Sequence, residues 1–228
     1  VTKYNSEWNL SSIWQVNMSL EIIRIALGMT ATNAYLVCEH ESKKAVVIDP
    51  GWEGERLLQE INERDWDLTA VWLTHGHFDH LGAVGTLANA YNPPLPVALH
   101  PEDKWLWEAQ GGATLFGIDG IDVGPEPSIH LAHGQKLMLG KSEFEVRHAP
   151  GHTPGHVMFY SQAEAVLFCG DVIFRNSIGR TDLPRGDFET LLTSIREQVF
   201  SLPEDTRLLN GHGPETTVGY EKAYNPFL

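Results

Sequence analysis

Cysteine is scarce: two in 228 residues, Cys38 and Cys169, each inside a strand-like apolar segment. A disulfide framework needs more, so the expectation is two inert buried thiols in a reducing, cytoplasmic setting. Basic charge is also short, with 16 Lys and Arg against 30 Asp and Glu and a formal net charge of -14. Phosphate neutralisation by a basic surface underlies nucleic-acid binding, and this balance excludes it as the leading function. Long apolar runs are missing, broken everywhere by charge, Gly or Pro, so no membrane span is expected. Residues 1–17 lack the basic start and apolar stretch of a secretory signal. They are read as an upstream extension, and 18–228 as a single domain of a size that buries a substantial core.

Histidine is what the chain does have: eleven, several in glycine-rich runs. Ala70-Val71-Trp72-Leu73 reads as the end of a buried strand and leads into Thr74-His75-Gly76-His77-Phe78-Asp79-His80. Side chains two apart on extended backbone share a face, so His75 and His77 are expected to grip one cation. Asp79 and His80 follow as the chain turns into a helix and are expected to point towards a second.

Three further stretches repeat the theme. Gly151-His152-Thr153-Pro154-Gly155-His156 is a rigid turn in which His152 is the expected ligand; His156 is expected to hydrogen bond behind the site or cap the next strand. Leu167-Phe168-Cys169-Gly170-Asp171 ends an apolar strand on one carboxylate, which alone reads equally as a ligand or a cap. Asn210-Gly211-His212-Gly213-Pro214 places a last histidine between glycines, which by itself reads as a surface turn.

Between these runs, Ala45–Ile48 reads as a strand closed by the turn Asp49-Pro50-Gly51, and Glu53–Arg64 as a helix. A helix is expected from the ligand run to about Ala90, another over Glu102–Gln110, and a third over Phe188–Phe200. Short strands fill 135–168. Residues 111–128 have no sustained period and stand open as a functional loop or a surface excursion.

The order His-x-His-x-Asp-His, Gly-His-Thr-Pro-Gly, Gly-Asp, Gly-His-Gly-Pro closely resembles the metallo-β-lactamase superfamily over residues 18–228. That resemblance implies an α/β (α+β) fold, a four-layer αββα sandwich with a metal site at one edge. It implies two divalent metal ions, with zinc expected and iron or manganese suited to the same donors. Carried over, His75, His77 and His152 would hold one metal, Asp79, His80 and His212 the other, with Asp171 bridging. His100 and His148, near strand ends, are expected either to support ligands or to be solvated.

Within the superfamily, Phe168–Phe174 followed by Ser177-Ile178-Gly179-Arg180 is similar to the glyoxalase II-like, hydroxyacylglutathione hydrolase group, in its short form without a C-terminal helical domain. The implied substrate is a small thioester such as S-D-lactoylglutathione, cleaved by a metal-bridging hydroxide with Asp79 in the catalytic set. Arg180 stands where the group has a glutathione-contacting lysine, so it is expected to fork onto a substrate carboxylate or to pair with Asp182 or Asp187. The alternatives are a persulfide dioxygenase-like enzyme, with one iron on His77 or a neighbour plus His152 and Asp171, and a promiscuous lactonase or esterase of the same fold.

Overall fold

The computed structural model describes residues 19–228, and the expected extension 1–17 lies outside them. Two six-stranded sheets face each other, flanked by helices on their outer sides. The first has the order β1 (Leu20–Leu27), β2 (Thr32–Glu39), β3 (Lys44–Ile48), β4 (Asp67–Trp72), β5 (Val97–Leu99) and β6 (Ile129–His130). The second contains β7 (Lys136–Leu139), β8 (Ser142–His148), β9 (Val157–Ser161) and β10 (Val166–Gly170). It is completed by β13 (Arg207–Asn210) and β14 (Thr216–Thr217), in the order β14-β13-β10-β9-β8-β7. A small hairpin, β11 (Ile173–Phe174) and β12 (Ser177–Ile178), stands apart.

Every residue of β2 is buried, because this inner strand is covered on both faces. One face packs towards the second sheet through Tyr35 and Val37, beside Trp72, Phe144, Phe159 and Phe168. The other face, with Leu36 and Cys38, packs under α1 (Gly54–Glu63) through Leu57 and Ile61. On the far side, α5 (Phe188–Ser194) presses Leu191 onto Met158 and Leu167 of the second sheet, and its π-helical continuation to Val199 adds Ile195. Three apolar layers between four structural layers give the αββα sandwich expected from the sequence. Both cysteines are buried and free.

The helix expected to run to about Ala90 is broken into α2 (Phe78–Leu81) and α3 (Val84–Asn89). The turn after β3 enters that break: Ala83 N–H donates to Pro50 O at 2.8 Å, and a side chain on Gly82 would overlap Gly51 O. The expected 102–110 helix is likewise divided, into a 3₁₀ turn at Pro101–Asp103, α4 (Lys104–Glu108) and a 3₁₀ segment, Gln110–Phe116. The hairpin β11–β12 and the last helix, α6 (Val218–Tyr224), are elements the sequence pattern does not announce. No helix among the described residues is long and apolar enough to cross a membrane.

Candidate metal centre

The strands deliver their C-terminal ends to one edge of the sandwich, where the four histidine and aspartate runs meet. His75 and His77 lie in the loop after β4 rather than on the strand, and His77 keeps extended backbone as it enters α2. Their side chains approach that of His152: His77 Nδ1 and His152 Nε2 are 2.9 Å apart. Asp79 and His80, from α2, converge instead with His212. Asp171, just past β10, touches both groups, with its Oδ2 at 3.7 Å from His152 Nε2 and 3.5 Å from His212 Nε2. Its Oδ1 lies 3.4 Å from His80 Nε2. All seven expected side chains are therefore brought together in two overlapping sets, with Asp171 between them.

The outer nitrogens decide which atoms face inward. His80 Nδ1 is 3.0 Å from Asp49 Oδ2, His152 Nδ1 is 2.7 Å from Arg180 O, and His212 Nδ1 is 3.2 Å from Thr30 O. Each acceptor fixes the proton on Nδ1 and leaves the Nε2 lone pair pointing into the cluster. Thr74 extends the same logic to His75: its hydroxyl donates to Asp49 Oδ2 at 2.7 Å and so accepts from His75 Nδ1 at 3.0 Å. One carboxylate, Asp49, thus orients His80 directly and His75 through Thr74. In the sequence Asp49 had looked like a turn residue only.

Inward, the polar atoms lack partners. His75 Nε2, His80 Nε2 and Asp171 Oδ1 are buried without a hydrogen bond. Unpaired buried acceptors are costly, and imidazole lone pairs converging on a carboxylate need a proton or a metal cation between them. The nitrogen and oxygen donor set fits a pair of divalent metals.

Two further groups brace the cluster from behind. Asp103, fully buried, accepts from Gly76 N–H at 3.0 Å, Thr153 O–H at 2.7 Å and Gly155 N–H at 2.7 Å. It ties the first ligand run to the second, and nothing in its sequence context, Pro101-Glu102-Asp103-Lys104, signals that. His156 accepts the Asp171 N–H at 3.0 Å and stacks on His75, so the expected bond behind the site is present. His100 and His148 stack on each other, and His148 Nε2 donates to Pro154 O at 2.8 Å. They brace the loop of His152 without touching a ligand. Glycine is required beside two of the ligands: Gly151 (φ 132°) lies so close to α5 that a side chain would overlap Leu191, and one on Gly211 would overlap Asp171 Oδ1.

Arg180 is among the residues lining the cavity at the site, and its Nε and one Nη meet the Asp182 carboxylate at 2.7 Å each, the second of the two partners expected for it. Its backbone carbonyl, meanwhile, orients His152. Asp182→Asn is accordingly expected to free the guanidinium with little change in melting temperature, the modest scale of an exposed ion pair. Thermal melts check this, and a clear loss of stability would show that the pair itself organises the site.

Charge within the metal-free cluster is divided. Burial, then the neighbouring histidines, push His75 and His156 well below the ordinary imidazole range, and His77 down to about 3. His80 and His212 behave oppositely: burial pulls them down, but Asp171 and Asp79 outweigh it and raise His212 to about 9. The unfolded histidines titrate near roughly 6.5. Below that pH the unfolded chain takes up protons that the folded His75, His77 and His156 refuse, so stability falls with acid. Above it, the stability contributed by protonated His80 and His212 is lost as pH rises through the folded values. Chelated protein is therefore expected to be most stable near roughly pH 6.5. Thermal melts in chelator between pH 5 and 9 check this; a monotonic profile would contradict it.

A four-layer αββα sandwich carrying a histidine–aspartate cluster at its strand ends defines the class: a dinuclear-metal hydrolase scaffold. The chain belongs to the metallo-beta-lactamase superfamily, whose family profile matches residues 27–212. It is 42% identical over 212 residues to the hydroxyacylglutathione hydrolase GloC of Haemophilus influenzae, covering 92% of this chain and 98% of that protein. Among solved structures it resembles the BLEG-1 B3 metallo-beta-lactamase, with a TM-score of 0.84, 42% identity, and coverage of 91% of this chain and 99% of that one. It also resembles TTHA1623 in a di-iron-bound form, with a TM-score of 0.82, 44% identity, and coverage of 90% and 100%.

Proposed function

We propose that this chain is a metal-dependent thioester hydrolase, with acylglutathiones such as S-D-lactoylglutathione as the substrate type. The observation that supports it most is the convergence of seven donors whose inward atoms, His75 Nε2, His80 Nε2 and Asp171 Oδ1 among them, are otherwise unsatisfied. His75, His77 and His152 would hold one metal, Asp79, His80 and His212 the other, and Asp171 both; zinc suits the set, as do iron and manganese. When bound, two such cations supply Lewis acidity and an acidified water near neutrality.

The remaining work falls to the chain's own groups. Asp79 is held ionised because His80 and His212 outweigh the effect of its burial, and it accepts the Thr32 hydroxyl at Oδ2. Its carboxylate would orient the attacking water by accepting a hydrogen bond from it. Asp49 and Asp103 keep the ligand runs from shifting as charge redistributes. Among the described residues, the cavity is lined by no carboxylate and no imidazole other than those of the proposed ligands. A thiolate leaves with a conjugate-acid pKa of about 8.5 and needs no strong proton donor, whereas an amine leaving group does. That absence of a dedicated acid is why a thioester is favoured over an amide. The two buried free cysteines suit a reducing cytoplasm.

A second reading, a persulfide dioxygenase-like iron enzyme using His77, His152 and Asp171, is favoured by the di-iron form of TTHA1623. Free-thiol release from S-D-lactoylglutathione, with and without chelator, separates the two when run beside oxygen consumption on glutathione persulfide. Chelator-sensitive thiol release without oxygen uptake is expected. Oxygen uptake alone would favour the iron enzyme, and turnover of a β-lactam alone would favour the activity by which BLEG-1 is described.

A further inference from the structure

The cavity beside the cluster, about 430 Å³, has a side that the metal chemistry leaves unused. Phe78, Phe116, Phe174, Ile178 and Leu183 line it. Phe78 directly follows His77, and its ring lies 5.2 Å from that of Phe116. Across the cavity, the Phe174 ring lies 5.9 Å from His212. Apolar surface therefore flanks both halves of the ligand cluster.

Phe116 is the unusual member. It sits at the end of the 3₁₀ segment Gln110–Phe116, within the stretch left open in the sequence between functional loop and surface excursion, and it is 48% exposed. The segment is not loosely placed. Gly111 adopts φ 69°, and a side chain there would overlap the Phe78 backbone, so the segment rests directly on α2. An aromatic ring fixed in this position beside a reactive centre, half in water, gains by covering itself with apolar substrate.

Apart from the Ser177 hydroxyl, which makes only a 3.5 Å contact to Ile178 O, the polar groups around the cavity outside the ligands are already engaged. The hydroxyls of Thr30 and Thr32 are paired at 2.9 Å, Thr32 also donates to Asp79, and the Arg180 fork is closed on Asp182. The geometry points to Phe116, together with Phe78 and Phe174, as an acyl-chain wall that selects thioesters with an extended apolar acyl group. This inference rests on the hydrolase reading for its scissile bond but not for the wall itself.

The test uses metal-loaded enzyme and one thiol throughout. With acetyl-, propionyl-, butyryl- and hexanoylglutathione, kcat/KM is expected to rise about twofold to fourfold per added methylene. Phe116→Ala is expected to cut the hexanoyl-to-acetyl ratio by about tenfold, while Phe116→Leu, which keeps an apolar contact, retains most of it. In parallel, calorimetry with the non-hydrolysable thioethers S-methylglutathione and S-hexylglutathione reads binding without turnover. The hexyl form is expected to bind at least about tenfold more tightly, with the advantage lost in Phe116→Ala. No thioester turnover with that preference intact would support the wall and sink the hydrolase reading. Thioester turnover that is flat with chain length, or equal binding of the two thioethers, would overturn the wall.

Discussion

Alanine at His152 is expected to abolish thiol release from acylglutathiones while leaving the αββα sandwich folded. His152 Nε2 lies 2.9 Å from His77 Nδ1 and 3.7 Å from Asp171 Oδ2, so its removal opens one of the two donor sets. The loss should exceed the about 10–100-fold that removal of an outer hydrogen-bond partner costs at a metal site. The loop itself is held independently of the imidazole, by Asp103 bonding Thr153 and Gly155 and by Gly151 against Leu191. Metal content by mass spectrometry should therefore fall while the circular dichroism spectrum is retained. Asp79→Ala should behave alike. Near wild-type turnover in either variant would rule out the proposed centre.

Asp103→Ala should act through the protein rather than the reaction. It leaves three buried donors, Gly76 N–H, Thr153 O–H and Gly155 N–H, without an acceptor. At about 1–3 kcal/mol for each unsatisfied group, the fold should lose about 3 kcal/mol or more. Metal affinity should drop as well, because the runs carrying His77 and His152 are no longer tied to each other. Asp103→Asn separates shape from charge: the carboxamide keeps the volume but turns an N–H₂ group towards one of the donors. Denaturant unfolding of the chelated and metal-loaded forms measures both effects. Unchanged midpoints in the alanine variant would mean that water replaces the carboxylate.

The first ligand run was legible in the sequence from its composition, whereas Asp171 and His212, which alone read as a cap and a surface turn, became legible only through the order of the four runs. His75, His77, Asp79 and His80 lie within six residues, and His152 and His212 are flanked by glycine. Within the first run the partition was also accessible, since the chain turns into a helix after His77 and points Asp79 and His80 elsewhere; the places of His152, His212 and Asp171 followed from the resemblance alone. The supporting groups were not legible. Asp49 reads as an ordinary Asp-Pro-Gly turn and Asp103 as an ordinary acidic residue in a helical stretch. Their function exists only because β3 lies beside β4, and because the Pro101–Asp103 turn packs against both ligand loops.

Arg180 shows the same limit from the other side. Its sequence position beside the Gly-Asp run left two partners open, a substrate carboxylate or a nearby aspartate, and the path of the backbone chose Asp182 for the side chain and His152 for the carbonyl. The split of the expected long helix into α2 and α3 has a comparable origin, because the Pro50–Gly51 turn must enter to bring Asp49 to His80.

Residue chemistry and local spacing by themselves picked out the first donor run and its expected division, His75 and His77 apart from Asp79 and His80, while the αββα fold and the places of His152, Asp171 and His212 came from the order of motifs that the chain shares with its superfamily. Only the tertiary structure decided which nitrogen of each histidine faces inward, which carboxylates hold them, and that Phe116 reaches the cavity. Those features depend on contacts between segments far apart in the chain, and burial converts such contacts from weak preferences into the arrangement of lowest free energy.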